Sequence, residues 1–246
     1  MCIEIFNILK SLNKNPAFIR KKYNSFQDEA NLQKKIGPLY QNKNRINAIN
    51  EAIQNGANVA IMDDGFQDFS INKNLSIICF NEKLWIGNGL LIPSGPLREG
   101  LSALKRADCV IINGNKNKKI ESRIISENED IKIFYTNYKP ENIEEFKNKK
   151  VTAFAGIGSP ENFFDLLKNH SIDVFRTIKF PDHYIYSKKE MDNLINNAIK
   201  NNTILLTTEK DYFRINEEFR KNIGCLKISI EIENRNKFIE EIKKII

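Results

Sequence analysis

Short apolar runs alternate with amphipathic segments along most of the chain. In CIEIFNILKSL, residues 2–12, apolar residues recur three or four positions apart, which predicts a helix. A second helix is predicted in NRINAINEAIQNG, with Gly56 placed to end it. PAFI is predicted to be extended. Four further runs are rich in valine and isoleucine and predict buried strands, namely NVAIM, LSIICF, DCVIIN and IKIFYTNY.

The same alternation resumes after the charged run EEFKNKK near residue 148, which we interpret as a domain boundary. Ser159 followed by Pro160 is typical of a helix start, and Ser187 with Glu190 has the spacing of a capping box. The predicted strands of this half are VTAFAGI, VFRTIKF, TILLTT and CLKISIEI, and NKFIEEIKKII is predicted to form a closing helix. Alternating strands and helices favour an α/β fold with parallel sheets covered on both faces. We predict two α/β/α sandwich domains, residues 1–148 and 149–246, with the last helix able to pack back on the first domain.

The composition indicates a globular protein but does not identify its binding partner. The 246 residues carry a net charge of +7 and are 41% hydrophobic, as expected of a globular protein. No apolar run approaches the roughly 18 residues of a membrane span. The positive charge is compatible with nucleic acid, anionic lipid or a phosphorylated substrate, and equally with a solvated surface that has no specific partner. Four scattered cysteines indicate a reducing compartment and argue against a disulfide framework or a zinc site.

Two adjacent carboxylates end one of the predicted strands. Asp63 and Asp64 follow the apolar run 59–62 and precede Gly65. At the carboxyl end of a buried parallel strand, an aspartate commonly helps to hold Mg²⁺ beside a nucleotide. Because successive strand residues face opposite sides, the two aspartates need not act in the same way. The alternative is a turn, since Asp-Gly is a common turn dipeptide.

Other segments carry weaker chemical signals. GNGLLIPSGPLRE has the glycines and prolines of a shaped loop and ends in Arg98 and Glu99, a cation beside a candidate metal ligand. The alternative is an ordinary loop. His183 follows a predicted strand in FPDHYIY, where a histidine acts as an acid, a base or an orienting group, or has a structural role. Lys210 in TTEKD is a candidate phosphate contact. Asp28 and Glu29 precede a short helical pattern, and helix capping is the simplest explanation of that pair.

The segment AGIGSPENF has the first two glycines of a dinucleotide fingerprint, Gly156 and Gly158, but Glu161 stands at the third glycine position. We therefore predict a tight strand-to-helix turn, whose helix N-terminus could still meet an anion.

The order of these segments is more specific than any one of them. DEANL, IMDDGFQD, GNGLLIPSGPLRE, RADCVIING, FAGIGSPENFF, FPDHYIY and TTEKD together resemble the tetraacyldisaccharide 4'-kinase family, the lipid A 4'-kinases. The resemblance extends from near residue 3 to about residue 215. It implies transfer of the γ-phosphate of ATP, with Mg²⁺, to the 4'-hydroxyl of a tetraacylated glucosamine disaccharide 1-phosphate. It also implies a kinase bound peripherally to the cytoplasmic face of a Gram-negative inner membrane, with a P-loop NTPase-like first domain.

The resemblance assigns roles to individual residues. Asp28 would be the base toward the acceptor hydroxyl, His183 would orient it, and Asp64 would be a further catalytic carboxylate. The remaining assignments are to metal binding for Asp63, Asp64, Glu29 and Glu99, to substrate binding for Tyr23, Arg45, Gln67, Asn88 and Arg98, and to nucleotide binding for Lys210. The chain departs from the family pattern at Asp68, where the family usually has histidine, and at FIRKKY, where it usually has SRGYG.

The phosphate-binding motif of such a kinase, G-x-x-x-x-G-K-[ST] between a strand and a helix, does not occur in the 246 residues. We expect this loop, its strand and the N-terminal membrane helix of the family to lie upstream of Met1. Loss of a central strand would remove stabilisation on the order of 10 kcal/mol. We therefore expect the chain as written to bind ATP poorly and to fold marginally in its first half.

Two other functions compete with this hypothesis. A non-catalytic protein that binds the lipid A precursor would keep the disaccharide site and lack the ATP site. A nucleic-acid-binding protein would account for the positive charge, but the chain has no ribonucleoprotein-type motif of basic and aromatic residues. We therefore expect a glycolipid substrate and a membrane surface as partners, and no nucleic acid.

Overall fold

The computed structural model describes residues 1–22 and 28–246, apart from the side chain of Asp28. Backbone packing divides the chain into two compact units. The first unit contains Met1–Arg20, Tyr40–Lys139 and Ile230–Ile246, and the second contains Lys21–Leu39 and Pro140–Ser229. The second unit therefore includes residues 21–39, which the predicted boundary at residue 148 had placed in the first domain. The final segment of the chain, Ile230–Ile246, belongs to the first unit.

Most helices and strands lie where the hydrophobic pattern predicts them, whereas Leu39–Asn42, Glu209–Arg214 and Glu217–Arg220 were not predicted. Up to residue 140 the elements are α1 (Cys2–Ser11), β1 (Pro16–Lys21), α2 (Asp28–Ile36), β2 (Leu39–Asn42), α3 (Arg45–Gln54), β3 (Val59–Met62), β4 (Ile77–Asn81), β5 (Cys109–Asn113), α4 (Lys118–Ile125) and β6 (Lys132–Pro140). After it they are β7 (Lys150–Ala155), α5 (Pro160–Asn169), β8 (Asp173–Lys179), α6 (Lys188–Lys200), β9 (Ile204–Thr208), α7 (Glu209–Arg214), α8 (Glu217–Arg220), β10 (Gly224–Leu226), β11 (Ile228–Ile232) and α9 (Arg235–Lys243).

The first unit holds two sheets. One has the strand order β2-β1-β3, and the other has the order β11-β6-β5-β4. The pairs β1–β3, β4–β5 and β5–β6 are parallel, which confirms the predicted sheet type. Among the described strands, β3 and β4 each pair with a single neighbour and so form an edge of their sheets. The side chains of β5 are almost all buried, whereas those of β3 and β4 are mostly half-buried.

The described residues of the second unit form one sheet that is covered on both faces. Its strand order is β10-β9-β7-β8, and every pair is parallel. Along β7, Ala153 and Ala155 pack with α5, while Phe154 between them packs with α6. This alternation follows from the two-residue period of a strand. A central strand buried on both sides explains why its sequence, VTAFA, is apolar almost throughout.

Two local predictions need correction. CLKISIEI was predicted as one strand, but it forms β10 and β11, which belong to different sheets. At the break between them the Lys227 amide donates a hydrogen bond to the side-chain oxygen of Asn142, at 2.8 Å, and not to a neighbouring strand. Ser159 does precede α5, but its side chain makes no capping hydrogen bond. The predicted capping box of Ser187 and Glu190 is confirmed at the start of α6.

The two sheet environments lead to a prediction about local stability. Amides of the edge strands β3 and β4 should exchange with solvent at least about tenfold faster than those of β7 and β9, because local opening exposes less apolar surface. Hydrogen–deuterium exchange with peptide-level mass spectrometry measures this. The buried strand β5 is the control for the first unit. Equal protection of β3, β4 and β5 would contradict the prediction.

Candidate functional site

The chain reverses direction directly after β3, where Asp63, Asp64 and Gly65 form a tight turn. Asp64 has a φ of +53°, in the left-handed region that few side chains favour. A Cβ at Gly65 would lie 2.6 Å from the Met62 Cβ, so only glycine fits there. The turn is thus fixed by backbone constraints, and it holds two carboxylates at the carboxyl end of a parallel strand.

The two adjacent carboxylates are neutralised by different arginines. An oxygen of Asp63 lies 3.0 Å from Nη1 of Arg20. Asp63 also accepts a hydrogen bond from the Cys2 thiol, at 3.6 Å, and burial raises the pKa of that thiol to about 12. Asp64 instead pairs with Arg98. Separate cationic partners explain how two like charges are tolerated side by side, and they fit the expectation that the two aspartates differ in role.

Arg45, at the start of α3, stabilises this turn through hydrogen bonds to its backbone. Its side chain is buried, and its Nη2 donates to the carbonyl oxygens of Asp63 at 3.2 Å and Asp64 at 2.7 Å. Its Nη1 donates to a carboxylate oxygen of Asp68 at 3.1 Å. Arg45 was assigned to the substrate from the family resemblance. In this structure Nη1 and Nη2 donate to Asp68 and the turn, whereas the buried Nε has no hydrogen-bond partner among the described residues. A ligand at either terminal nitrogen would have to compete with these bonds.

Asp68 stands where the family usually has histidine, and it is part of the same arrangement. Its carboxylate accepts from Arg45 and from the Ser70 hydroxyl, and these hydrogen bonds, led by that of Ser70, lower the pKa of Asp68 below its ordinary value. Asp68 therefore remains ionised and completes the charge balance of Arg45. The departure from the family pattern is explained locally by this ion pair.

Arg98 forms the exposed part of the site. Its Nη1 donates to both carboxylate oxygens of Asp64, at 2.8 and 2.9 Å, and to the side-chain oxygen of Gln67 at 3.2 Å. The side chains of Arg98 and Asp64 are 56% and 51% exposed. An ion pair this exposed adds little to folding stability, so little is lost when a ligand replaces one partner.

Glu99 follows Arg98 and makes an ion pair with Arg106. The Arg106 guanidinium also lies over the rings of Phe66 and Phe69, at 4.8 and 4.7 Å from their centres. The second oxygen of Glu99, Oε1, is buried and has no hydrogen-bond partner among the described residues. A buried acceptor without a donor fits a site that a cation completes.

Asn88 shapes the loop that leads to Arg98. Its amide donates to the Ser94 carbonyl at 2.8 Å, and its oxygen accepts from the Leu90 amide at 3.1 Å. A Cβ at Gly95 would lie 2.3 Å from the Asn88 oxygen, which explains the glycine in this loop. Asn88, assigned to the substrate by resemblance, thus holds the loop in shape here.

In the second unit, Glu29 on α2 and Lys210 on α7 form an ion pair of 2.8 Å. Both were assigned to ligands, to the metal and the nucleotide respectively, and here they neutralise each other. Asp28 is the first residue of α2, but its side chain lies outside the described part of the structure. Tyr23 lies outside the described residues altogether.

His183 follows β8, in a backbone conformation with a φ of +58°. Its amide donates to the Gly156 carbonyl at 3.1 Å and to the Asp182 side chain at 2.9 Å, which holds this conformation. Its ring nitrogen Nδ1 lies 3.3 Å from Nη2 of Arg214. The strand-end position predicted for His183 is confirmed, whereas no sequence signal had singled out Arg214.

The sequence prediction missed the cations of both units. Arg20, Arg106 and Arg214 each contact a predicted functional residue, but each lies in an ordinary amphipathic segment. Their partners become visible only in the fold. Among the described residues, no group of three or more histidine, cysteine, aspartate or glutamate side chains could hold a metal ion alone.

Comparison with known proteins identifies related chains. The sequence profile of a family described as tetraacyldisaccharide-1-P 4'-kinase matches residues 19–246. A tetraacyldisaccharide 4'-kinase of Pelagibacter ubique is 42% identical over all of this chain and 79% of the relative. Another, from Rickettsia bellii, is 32% identical over 97% of this chain and 78% of the relative.

A solved structure shares the fold. The LpxK structure from Aquifex aeolicus, determined in complex with ATP, superposes with a TM-score of 0.72. The superposition covers 99% of this chain and 82% of the other, at 23% sequence identity. The predicted α/β fold class is thereby confirmed.

The turn geometry leads to a stability prediction. Arg45→Met should lower the free energy of unfolding by about 3 kcal/mol, because it leaves Asp68 and two carbonyls without their donor. Arg98→Met is the matched control and should cost less than about 1 kcal/mol, since its ion pair is exposed. Urea denaturation followed by circular dichroism measures both. Equal costs for the two variants would show that Arg45 does not hold the turn.

Proposed function

The chain belongs to the tetraacyldisaccharide 4'-kinase family, and we propose that it transfers the γ-phosphoryl group of ATP to the 4'-hydroxyl of a tetraacyldisaccharide 1-phosphate in lipid A biosynthesis. The observation that carries this proposal is the family match over residues 19–246. In the reaction the hydroxyl oxygen bonds to the γ-phosphorus, the bond to the bridging oxygen of ADP breaks, and the hydroxyl proton passes to a base.

We assign the base to Asp28 and the orienting role to His183. Both belong to the second unit. A carboxylate that accepts the hydroxyl proton contributes about 100-fold or more to such a reaction. The held backbone of His183 supports an orienting role, because its ring is anchored on one side by Arg214.

Arg98 and Gln67 are proposed to bind a phosphate of the substrate. Arg98 presents a half-exposed guanidinium, and arginine is suited to bind phosphate oxygens through two parallel hydrogen bonds. Asp64, which pairs with Arg98 in this structure, could then interact with the phosphoryl group that is transferred. Arg45 would stabilise this arrangement through its hydrogen bonds to backbone carbonyls of the turn. Asn88 would do so through its hydrogen bond to a backbone carbonyl of the loop.

Mg²⁺ is the cation proposed for the same turn, with one or two oxygen ligands drawn from the candidates Asp63, Asp64 and Glu99. The unpartnered buried oxygen of Glu99 suits such a cation. Mg²⁺ is commonly held by one or two carboxylates together with phosphate oxygens, so a larger protein cluster is not required. When bound, the cation would neutralise charge on the transferring phosphoryl group. Glu29 and Lys210 remain further candidates, for the metal and the nucleotide, and would have to exchange their mutual ion pair.

We also propose peripheral binding at the cytoplasmic face of the inner membrane. The described helices include none that is long and apolar enough to span a bilayer. The loop that precedes Arg98 exposes large apolar side chains, at 62% for Leu84, 52% for Leu90, 49% for Leu91 and 62% for Ile92. An exposed apolar loop of this kind can enter the interface of a bilayer and so bring the site to a lipid substrate.

The competing hypothesis is a protein that binds the acceptor lipid without phosphorylating it. The two functions are distinguished by assaying both lipid binding and phosphate transfer, in residues 1–246 and in the longest product of the reading frame that contains them.

The catalytic assignment predicts the effect of one carboxamide substitution. Asp28→Asn should lower kcat by about 100-fold or more with little change in KM, because the base is lost while binding is kept. Transfer of labelled phosphate from ATP to the tetraacyldisaccharide measures this in the longest product. Glu161→Gln, which alters an exposed ion pair with Lys179, is the control and should retain full activity.

The outcomes separate the two functions. Full activity of Asp28→Asn would contradict the assignment of the base. Binding of the acceptor lipid without any phosphate transfer, in both chains, would favour the non-catalytic alternative.

The membrane assignment predicts a loss of lipid binding. Replacing Leu90, Leu91 and Ile92 together by Gln should reduce co-sedimentation with vesicles that contain anionic lipid by at least about tenfold, because less apolar area enters the bilayer. Ile185→Gln is the control, since Ile185 is 85% exposed but belongs to the second unit. Unchanged sedimentation of the triple variant would exclude the loop as a membrane contact.

A further inference from the structure

The ring of His183 is contacted by an arginine through one particular nitrogen. Nη2 of Arg214 lies 3.3 Å from Nδ1 of His183. The other ring nitrogen, Nε2, lies 3.9 Å from a carboxylate oxygen of Asp182. The His183 side chain is 34% exposed, so part of the ring remains accessible to a substrate.

A guanidinium has donors and no acceptor, so the hydrogen bond with Nδ1 has only one direction. Nδ1 must offer its lone pair, and in the neutral ring the proton then resides on Nε2. We infer that Arg214 is a positioning residue that fixes His183 as the Nε2–H tautomer, with Nδ1 as the acceptor. The carboxylate of Asp182 beyond Nε2 favours the same arrangement.

Arg214 is itself held in place by buried partners. Its Nη1 donates to the Gly156 carbonyl at 2.6 Å and to Asp211 at 3.1 Å, and its side chain is 10% exposed. Asp211 is fully buried and also accepts from the Gly156 amide, at 3.1 and 3.2 Å, and from the Tyr186 hydroxyl at 2.9 Å. The guanidinium therefore cannot turn away from His183 without leaving a buried carboxylate short of donors.

The tautomer limits what His183 can do, on the assumption that the proposed kinase function is correct. A neutral ring with its proton on Nε2 can donate a hydrogen bond to a carboxylate or to the acceptor oxygen. It cannot take a proton at Nε2 from the sugar hydroxyl. The general base must then be another group, and His183 acts as a donor that orients the base or the acceptor.

The other histidine of the chain provides an internal reference. Nδ1 of His170 lies 2.9 Å from the Leu166 carbonyl oxygen, which can only accept. In the neutral ring of His170 the proton must therefore reside on Nδ1. The two histidines of this chain are thus expected to be opposite tautomers.

Long-range nitrogen–proton NMR on histidine-labelled protein tests this directly. Spectra are recorded at a pH high enough that neither ring carries a second proton, so that each ring shows one protonated and one unprotonated nitrogen. We expect the unprotonated nitrogen to be Nδ1 in His183 and Nε2 in His170. Loss of signals in His183→Gln assigns them. A proton on Nδ1 of His183 would overturn the inference.

The role of Arg214 is tested by removing its donors. In Arg214→Met the Nδ1 signal of His183 should shift downfield, because that lone pair loses its hydrogen bond. Arg214→Lys, which keeps a charge, tests the same contact with less disturbance of the fold. Arg220→Met is the matched control, since Arg220 also donates to backbone carbonyls but contacts no histidine among the described residues. An unmoved Nδ1 signal in both Arg214 variants would overturn the inference.

Kinetics separate this inference from the proposed function. The side-chain amide of glutamine can occupy the place of Nε2–H, whereas that of asparagine is nearer the place of Nδ1. His183→Gln should retain at least about tenfold more of kcat than His183→Asn, with similar KM values. Equal losses would contradict the donor role of Nε2. Absence of phosphate transfer in every form would contradict the kinase function and leave the NMR result to decide the tautomer.

Discussion

The second unit is organised around the buried carboxylate of Asp211. This carboxylate accepts hydrogen bonds from the amide that follows β7, from a tyrosine hydroxyl before α6 and from Thr208 at the end of β9. Burial and the charge of Asp211 raise the pKa of Tyr186 well above its ordinary value, so the hydroxyl remains a donor. An ionised group in the interior is stable only when it is surrounded by donors in this way. Because these donors come from separate segments, the carboxylate sets where the strand ends meet, and through Arg214 it sets where His183 stands.

The same physical requirement acts in the first unit with the charges reversed. There the buried group is the cation Arg45, and the turn after β3 supplies its acceptors. In both units a buried charge binds backbone groups at the carboxyl end of parallel strands, and the more exposed candidate side chains lie just beyond it. The exposed residues can therefore exchange their ion-pair partners for a ligand. Their loops are held by separate, buried hydrogen bonds, which the ligand does not have to break.

Features that depend on residues close together in sequence were predicted, and features that depend on distant residues were not. The helices and strands depend on local periodicity, and α1, α3, β5 and β7 were predicted because their apolar positions repeat within a few residues. The capping box at Ser187 is similarly local. The division of CLKISIEI into two strands was missed, because the amide at the break donates to Asn142, which is distant in sequence. Helix α2 belongs to the second unit for a similar reason, because its packing partner α7 lies far along the chain.

The same limit on prediction from sequence applies to the residues of the candidate site. Carboxylates such as Asp63 and Asp64 could be predicted because a charged pair at a strand end is unusual in itself. Their arginine partners could not, since an arginine in an amphipathic segment has no distinguishing pattern. Yet it is the partner that decides the chemistry of each acidic residue.

A carboxylate beside an exposed arginine, such as Asp64, can exchange that partner for a ligand at little cost. A carboxylate surrounded by buried donors, such as Asp211, cannot. The candidate functional residues of this chain are thus better distinguished by how easily their ion pairs can be replaced than by the presence of a charge. By that criterion the ion pairs Asp64–Arg98 and Glu29–Lys210 are the more easily replaced, whereas Arg45, Asp211 and Arg214 maintain the framework.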